Sequence, residues 1–216
     1  MTVWILLGVA VAGYLLGSVP TGFLMGKARG LDLRAAGSGN IGATNALRVL
    51  GKPAGVTVLG LDVLKGAVAC WGVPRLVVAW DPGWGADAER LALVAGIAAV
   101  LGHNYTCWLR FKGGKGIATS AGVLVVLMPV ALLIALGIWG AVFALSRYVS
   151  LASIAAAFAL PWVVWATQRS GELTVVAGAL AVLAIGKHRA NIRRLLRGDE
   201  HRFSRPPKNA APTALP

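Results

Sequence analysis

One loop of the chain combines small residues, polar side chains and an arginine in a way that suits phosphate binding. The segment Gly37–Arg48 has the sequence GSGNIGATNALR. Glycines let a backbone curl closely around a ligand, and hydroxyl and amide side chains supply hydrogen bonds. The planar guanidinium of Arg48 matches two phosphate oxygens. The alternative is a flexible polar loop, since the segment is neither a Walker nor a Rossmann fingerprint. The candidate residues are Ser38, Gly39, Asn40, Thr44, Asn45 and Arg48.

A second segment pairs lysines with glycines just before an apolar stretch. The sequence GHNY at Gly102–Tyr105 is followed by FKGGKG at Phe111–Gly116. Ammonium groups, backbone N–H groups and a helix N-terminus can together hold an anion. The alternative is a turn whose lysines only fix membrane topology. The candidate residues are Lys112, Gly113, Gly114, Lys115 and Gly116.

Two pairs of polar residues have helical spacing. Ser150 and Ser153 are three residues apart and would share a helix face, although a helix cap and a packing residue are a plainer interpretation. His188 and Asn191 have the same spacing at the end of the last apolar stretch. The following segment, 192–197, mixes arginines with leucine and isoleucine, which is typical of a basic amphipathic helix on anionic lipid.

Acidic residues are few, which limits the possible chemistry. Asp62 and Lys65 lie inside an apolar stretch at i, i+3, and we interpret them as a structural ion pair in preference to a proton relay. The sequence has no acidic cluster suited to Mg²⁺ and no nucleophile elbow. The two cysteines, Cys70 and Cys107, suit neither a disulfide framework nor a metal cluster. We therefore expect no metal and no cofactor.

The composition indicates that a membrane surrounds these segments. Hydrophobic residues make up 57% of the chain and charged residues 13%, with a mean hydropathy of +0.72. A soluble globule of this size has too much surface to hide so many apolar side chains. The apolar stretches are continuous, which favours helices over barrel strands. The net charge of +13 lies mostly in short loops, so we expect no nucleic-acid partner.

We predict an all-α, polytopic membrane protein with about seven transmembrane helices. The predicted spans are 3–25, 55–79, 88–106, 117–128, 130–146, 151–167 and 172–187. Met128 and Pro129 are predicted to break residues 117–146 into two helices, and the alternative is a single long tilted helix. Val3–Met25 is too long for the core of a signal peptide, so we expect it to be retained.

The distribution of lysine and arginine predicts the orientation. Most of them fall in four segments on one side of the membrane: 26–54, 107–116, 147–150 and 188–216. The positive-inside rule makes that side cytoplasmic, with the N-terminus outside and the C-terminus inside. We predict one transmembrane domain, 1–198, and a polar, disordered and dispensable cytoplasmic tail, 199–216.

Together these segments resemble the acyl-phosphate-dependent glycerol-3-phosphate acyltransferases of bacteria, a small integral-membrane family that makes lysophosphatidic acid. Gly17–Gly22 (GSVPTG) and Leu61–Gly66 (LDVLKG) are similar to the signatures of its first two helices. The segments Gly37–Arg48, Phe111–Thr119 and His188–Asn191 are similar to its three motifs. The resemblance covers nearly the whole chain.

The resemblance implies transfer of an acyl group from acyl phosphate to glycerol 3-phosphate, giving lysophosphatidic acid and phosphate. This is the first acylation step of phospholipid synthesis, at the cytoplasmic face of the bacterial inner membrane. An upstream enzyme that produces acyl phosphate is implied as well. The resemblance also assigns catalytic roles to Ser38, Arg48, Lys115, His188 and Asn191, with either Ser150 or Ser153 as a further serine.

Both substrates carry phosphate, so we expect two anion sites side by side. We expect Arg48, Lys115 and the Ser38–Asn40 backbone to hold glycerol 3-phosphate. The glycines of the Phe111–Gly116 run would cradle the acyl phosphate, with its tail between helices. The alternatives are a membrane transporter of a phosphorylated metabolite and a lipid-binding membrane protein without catalysis. The lack of an internal repeat argues against the transporter.

Overall fold

Helices make up the structure, as the sequence predicts. The computed structural model describes residues 2–203, and within them ten α-helices are connected by loops and two 3₁₀ turns. The helices are α1 Thr2–Ser18, α2 Thr21–Lys27, α3 Ala43–Leu50, α4 Lys52–Trp80, α5 Ala88–Asn104, α6 Ile117–Leu127, α7 Pro129–Ser146, α8 Val149–Gln168, α9 Gly171–Lys187 and α10 Arg189–Arg197. The all-α prediction is confirmed.

Five helical stretches within residues 2–203 are long and apolar enough to cross a membrane. They are Thr2–Lys27, Lys52–Trp80, Pro82–Leu109, Pro129–Ser146 and Val149–Gln168. A sixth is counted if α9 and α10, bent by 56° relative to each other, form one span. α6 is apolar but has 11 residues, which rise only ~16 Å, about half of a hydrocarbon core. The count of seven spans depends on α6 and α9 and stays a prediction.

The predicted break after α6 is present. Met128 leaves the helical region with φ −144° and ψ 60°, and Pro129 then starts α7. Proline has no N–H to continue the ladder of α6, but it fits the first turn of a new helix. Residues 117–146 therefore form two helices. The single tilted helix is excluded.

Small residues bring the first helices close together. Gly13 and Gly17 of α1 lie against Ala95 and Ala99 of α5, where a methyl group on either glycine would overlap the α5 backbone. Such close approach replaces the hydrophobic effect as a source of helix association in lipid. α1, α4, α5 and α6 form one packed group, with α3 against α4, while α7, α8 and α9 form a second.

A buried polar cluster fixes the junction of α1 and α2 to α4 and α5. Asp62 Oδ1 accepts a hydrogen bond from Thr21 Oγ1 (2.6 Å) and pairs with Lys65 Nζ (2.9 Å). Lys65 Nζ also donates to the Val19 carbonyl at 2.9 Å. His103 Nδ1 lies 3.5 Å from Asp62 Oδ1. The ion pair expected from the sequence thus joins α2, α4 and α5. It lies beneath Phe111–Gly116, which we call the glycine–lysine loop and which packs on His103.

Candidate active site

The loop between α2 and α3 is shaped by the side chain of Asn45. Asn45 Oδ1 accepts a hydrogen bond from the Ser38 N–H at 2.8 Å. Asn45 Nδ2 lies 3.1, 3.0 and 2.8 Å from the carbonyl oxygens of Leu33, Ala36 and Asn40. These contacts give both the oxygen and the nitrogen of the Asn45 amide hydrogen-bond partners within the loop. The side chain of Asn45 holds the loop together, and its predicted role in binding substrate stays a prediction.

Other candidates of this loop differ in what they offer. The side chain of Asn40 accepts from the Gly42 N–H at 2.8 Å and closes a local turn, so it too shapes the loop. Gly39 has φ of 72°, a backbone conformation that favours glycine. Ser38 and Gly39 are exposed and Thr44 is half-buried. The hydroxyl of Ser38 is thus accessible from outside the loop.

The glycine–lysine loop packs on the C-terminal end of α5. The Gly113 N–H donates to the Asn104 carbonyl (3.2 Å) and the Gly114 N–H to the His103 carbonyl (3.0 Å). A side chain on Gly114 would overlap the His103 ring. Gly116 precedes α6 with φ of 83°. The N–H groups of Gly113 and Gly114 bond to α5, and the predicted phosphate cradle of this loop stays a prediction.

The two lysines of this loop point to different surroundings. Lys112 is exposed, whereas Lys115 turns inward and donates from Nζ to Asn191 Oδ1 at 2.6 Å. Burial lowers the pKa of Lys115 to about 8; the Glu200 carboxylate opposes this shift and nearby arginines reinforce it. Of the two, Lys115 is therefore the lysine of the site.

A carboxylate lies at the centre of the site. Glu200 Oε1 accepts hydrogen bonds from Ser150 Oγ and Asn191 Nδ2, both at 2.7 Å. Glu200 Oε2 accepts from Arg194 Nε at 2.6 Å. Burial alone would raise the pKa of Glu200, but these hydrogen bonds outweigh it and hold the pKa below its ordinary value. Glu200 is therefore ionised at neutral pH.

Arg48 belongs to the same cluster. Its Nε is buried and has no hydrogen-bond partner among residues 2–203. Burial lowers the pKa of Arg48, and the charges of Glu200 and Arg194 also act on it. A buried guanidinium nitrogen without a partner is costly, and a bound anion would supply an acceptor for it.

The chain reaches this position because α10 ends in a glycine turn. Gly198 adopts a left-handed conformation with φ of 78°. The next residues return across the start of α8, where the Phe203 N–H donates to the Arg147 carbonyl at 3.0 Å. The Phe203 ring also lies edge-on to Phe143, with centroids 5.9 Å apart.

These contacts involve the first residues of the predicted tail. Residues 199–203 pack against α8 and α10 and carry Glu200 into the site, while the boundary at 198 stays a prediction. The rest of the predicted tail, 204–216, is outside the described residues. Sequence reasoning missed Glu200 because it follows the last motif in a polar, charged stretch. Gly198 directly after a basic helix was the available signal, since a glycine at that position turns the chain back.

His188 lies at the bend between α9 and α10. Its side chain is 2% exposed, and its Nδ1 lies 2.8 Å from the Ala184 carbonyl. A carbonyl oxygen only accepts, so Nδ1 carries the proton and Nε2 is the acceptor of the neutral ring. This hydrogen bond fixes the orientation of the imidazole.

The structure separates the two candidate serines. Ser150 bonds to Glu200 within the polar cluster. Ser153 Oγ instead accepts from Trp139 Nε1 at 3.2 Å and lines an apolar groove. Of the two serines, Ser150 therefore belongs to the polar cluster around Glu200. Ser153 marks where the groove begins.

The site brings together five of the residues chosen from the sequence: Arg48, Lys115, Ser150, His188 and Asn191. Arg194 and Glu200 complete it. Across residues 2–203, no three His, Cys, Asp or Glu side chains are grouped so that they could hold a metal ion.

Comparison with known proteins identifies the family. The family model described as glycerol-3-phosphate acyltransferase matches residues 7–198. The chain belongs to this family. A glycerol-3-phosphate acyltransferase from Geotalea daltonii is 45% identical over 195 residues, covering 90% of this chain and 96% of the relative. One from Desulforudis audaxviator is 50% identical over 193 residues, covering 88% and 92%.

Two solved structures are similar over most of the chain. Both are crystal structures of PlsY (YgiH), an integral membrane glycerol 3-phosphate acyltransferase. The glycerol 3-phosphate form is 40% identical, with a TM-score of 0.82, covering 92% of this chain and 96% of that one. The lysophosphatidic acid form is 39% identical, with a TM-score of 0.80, covering 92% and 95%. The predicted family and the predicted enzyme class, a glycerol-3-phosphate acyltransferase, are confirmed.

Proposed function

We propose that this glycerol-3-phosphate acyltransferase uses acyl phosphate as its acyl donor and forms lysophosphatidic acid at the cytoplasmic face of the bacterial inner membrane. The observation that carries the proposal is the charge of the site. Arg48, Lys115 and Arg194 surround one carboxylate, Glu200, so the cluster holds an excess of positive charge beside an apolar groove. Two phosphate-bearing substrates, one with a fatty tail, fit that combination.

The polar half of the site suits glycerol 3-phosphate. Arg48 supplies a fork for phosphate oxygens and Lys115 a mobile point charge. The exposed backbone and hydroxyl of Ser38 and Gly39 add hydrogen-bonding groups. His188 Nε2 is available to orient a glycerol hydroxyl. Glu200 holds Ser150 and Asn191 in place and keeps Lys115 charged.

The apolar half suits the acyl tail. A groove between α6, α7, α8 and α9 is lined almost entirely by leucine, alanine and isoleucine, with Ser153 and Trp139 at the end nearest the polar cluster. An acyl chain in this groove places its carboxyl-derived carbon near Ser150. The phosphate of the donor then lies within the cationic cluster.

The chemistry needs little beyond placement and charge neutralisation. The glycerol hydroxyl oxygen attacks the acyl carbon, an ester C–O bond forms, and the anhydride C–O bond breaks with its electron pair passing to phosphate. The hydroxyl proton goes to a phosphate oxygen of a substrate, so no protein group has to keep it. Arg48 and Lys115 stabilise the charge that gathers on the departing phosphate. His188 orients the hydroxyl.

The orientation follows from the charge distribution. The residues of the site share one side of the bundle with most of the lysines and arginines, which the positive-inside rule assigns to the cytoplasm. On this proposal α6 and α9 each complete a crossing and the chain spans the membrane about seven times. A cysteine placed at Gly83 labels from outside intact cells and one at the exposed Lys112 does not. The reverse labelling pattern contradicts the orientation.

The donor is tested by incubating purified protein with glycerol 3-phosphate and either acyl phosphate or acyl-CoA. We expect phosphate release matched by lysolipid with acyl phosphate, independent of chelators, and little product with acyl-CoA, because its thioester lacks the phosphate that the cluster binds. Hydroxylamine added during turnover should trap no acyl-enzyme. Efficient acyl-CoA turnover, or an acyl group on Ser150, contradicts the mechanism.

A further inference from the structure

The apolar groove has one end at the polar cluster. Ser153 lines it and lies one helical turn after Ser150, whose hydroxyl donates to Glu200. Trp139 forms the facing wall and is held by its hydrogen bond to Ser153 (3.2 Å). An acyl group that reacts beside Ser150 therefore enters the groove at this end.

The other end of the groove is closed by packed core. Leu124 of α6 and Leu160 of α8 line the groove and also belong to the hydrophobic core around Met128 and Val164. Their exposed fractions are 4% and 5%, and Met128 is fully buried behind them. From Ser153 to Leu160 the groove follows α8 for seven residues, or ~10 Å of helical rise.

One side of the groove faces lipid. α7 packs mainly on α8 and only lightly on α6. Leu136 of α7 lines the groove, yet 51% of its surface is exposed. A chain longer than the groove can bend out past Leu136 into the bilayer, where additional methylenes gain no contact with the protein.

We propose that Leu160, together with Leu124, determines which acyl-chain lengths the enzyme prefers. The inference rests on the proposed function, since it takes the donor's acyl chain as the occupant of the groove. Each methylene moved from water into a fitted apolar site improves affinity by about fourfold. A methylene that only passes from lipid to lipid improves it little. Preference for the donor should therefore rise with chain length until the chain reaches Leu160 and then level off.

The test compares chain-length profiles of wild type with variants that lengthen or shorten the groove. Leu160→Ala opens the closed end towards Met128, and the profile should level off two to three carbons later, a shift expected from removing about three side-chain carbons. Ala157→Leu fills the groove one turn earlier, and the profile should level off at shorter chains. Variant-to-wild-type ratios at each chain length cancel the partitioning of the donor into detergent.

Leu173→Ala is the matched control. Leu173 belongs to the same core as Leu160 and is 7% exposed, but it does not line the groove. The control should lose stability as Leu160→Ala does and keep the wild-type profile. Turnover by Leu160→Ala and Ala157→Leu with unchanged profiles would overturn the proposal.

A second measurement separates this inference from the choice of donor. Lysophosphatidic acids of graded chain length are added to each protein, and the rise in unfolding temperature is recorded. The rise in unfolding temperature should level off at longer chains in Leu160→Ala and at shorter chains in Ala157→Leu. If wild type turns over no acyl phosphate but the stabilisation profiles shift as described, the donor proposal fails and the length determinant stands. If neither profile shifts, the length determinant fails.

Discussion

Two buried carboxylates in this protein have similar partners and different surroundings. Asp62 and Glu200 each accept hydrogen bonds from a hydroxyl and a cationic side chain, and their side chains are 2% and 8% exposed. Asp62 pairs with Lys65, which also bonds to the Val19 carbonyl, so the donors and charges of that cluster are satisfied internally. Glu200 instead faces more positive charge than it can neutralise.

The difference between them separates structure from function. A buried ion pair with matched charges gains nothing by admitting a ligand, because its desolvation is already compensated. A cluster with surplus positive charge and a buried guanidinium nitrogen lacking an acceptor becomes more stable when an anion enters. By this criterion we expect the Asp62 cluster to hold helices together and the Glu200 cluster to bind phosphate. Four predictions test the distinction.

The largest effect is expected from Arg48→Lys. A lysine keeps the charge but cannot make paired contacts with two phosphate oxygens. The value of kcat/KM for glycerol 3-phosphate should fall by about two to three orders of magnitude, the cost of one lost charge-stabilising contact. Arg197→Lys is the control, since Arg197 is exposed on α10, and it should stay near wild type. Near-normal kinetics of Arg48→Lys would show that Arg48 does not bind phosphate and only adds to the positive charge that orients the chain in the membrane.

Truncation of the C-terminus should produce the next largest effect on activity. The test compares a chain that ends at Gly198 with one that ends at Phe203. A chain ending at Gly198 loses the carboxylate of Glu200 and leaves Ser150 and Asn191 without their acceptor. We expect a loss of at least about tenfold in kcat, since a hydrogen bond to a charged group contributes about 1.5–3 kcal/mol. A chain ending at Phe203 should retain activity.

Membrane insertion of both truncated chains is measured alongside activity. The comparison fails if the two chains insert equally and turn over equally. In that case the contacts of residues 199–203 contribute nothing to the site, and the dispensable tail expected from the sequence begins at 199 after all.

The residue types of the site were readable from the sequence, but their roles were less so. Arg48 and Lys115 are readable because each lies in a glycine-rich segment that could hold an anion, and Asn191 because it has helical spacing to His188. The role of Asn45 could not be read, since only the folded loop shows that its amide is consumed by Ser38 and three carbonyls. Glu200 was missed for a similar reason. Its function depends on a chain reversal that brings it to residues distant in sequence.

The positions of the helices could be predicted, because the length of each apolar stretch determines them. The angles and contacts between helices could not be predicted in the same way. Continuous apolar stretches indicated helices, and Pro129 marked the break after α6. The limits of α6 were also predicted to within one residue, at 117–128 against Ile117–Leu127. The 56° bend between α9 and α10 was not predicted, because hydropathy does not encode the angle between successive helices. The choice between Ser150 and Ser153 also needed the structure, because one helical turn separates the polar cluster from the apolar groove.

KM for glycerol 3-phosphate should depend on pH through the Glu200 cluster, an effect of intermediate size. Lys115 has a pKa of about 8, lowered mainly by burial. Its charged form is present below that pH and is lost as pH rises through it, so KM for glycerol 3-phosphate should rise above about pH 8, by up to about tenfold per pH unit. Lys115→Arg should remove this rise, because arginine stays charged.

Glu200→Gln tests the same dependence of KM on pH from the side of the carboxylate. The carboxylate raises the pKa of Lys115, opposing the effect of burial, so its removal should move the rise in KM to lower pH. An Asp62→Asn variant should leave the pH at which KM rises unchanged, because its carboxylate belongs to the other cluster. A KM that does not change with pH in wild type would show that the charge of Lys115 is not used to bind the substrate.

The smallest effect on turnover is expected at Asp62, together with a clear effect on stability. Asp62→Asn leaves the ammonium of Lys65 buried without its counter-charge, which costs about 3–5 kcal/mol. Adding Lys65→Met removes that charge and should restore most of the loss, because a neutral, well-packed pair avoids desolvation. Thermal inactivation gives the stabilities, and kcat/KM of the surviving enzyme should stay within about threefold of wild type, less than 1 kcal/mol. A double variant as unstable as Asp62→Asn alone would show that the contacts of Asp62 with Thr21 and His103 matter more than the ion pair. A large fall in kcat/KM at normal stability would mean that the Asp62 cluster acts on the site through His103 and the glycine–lysine loop, and the separation of the two clusters would be wrong.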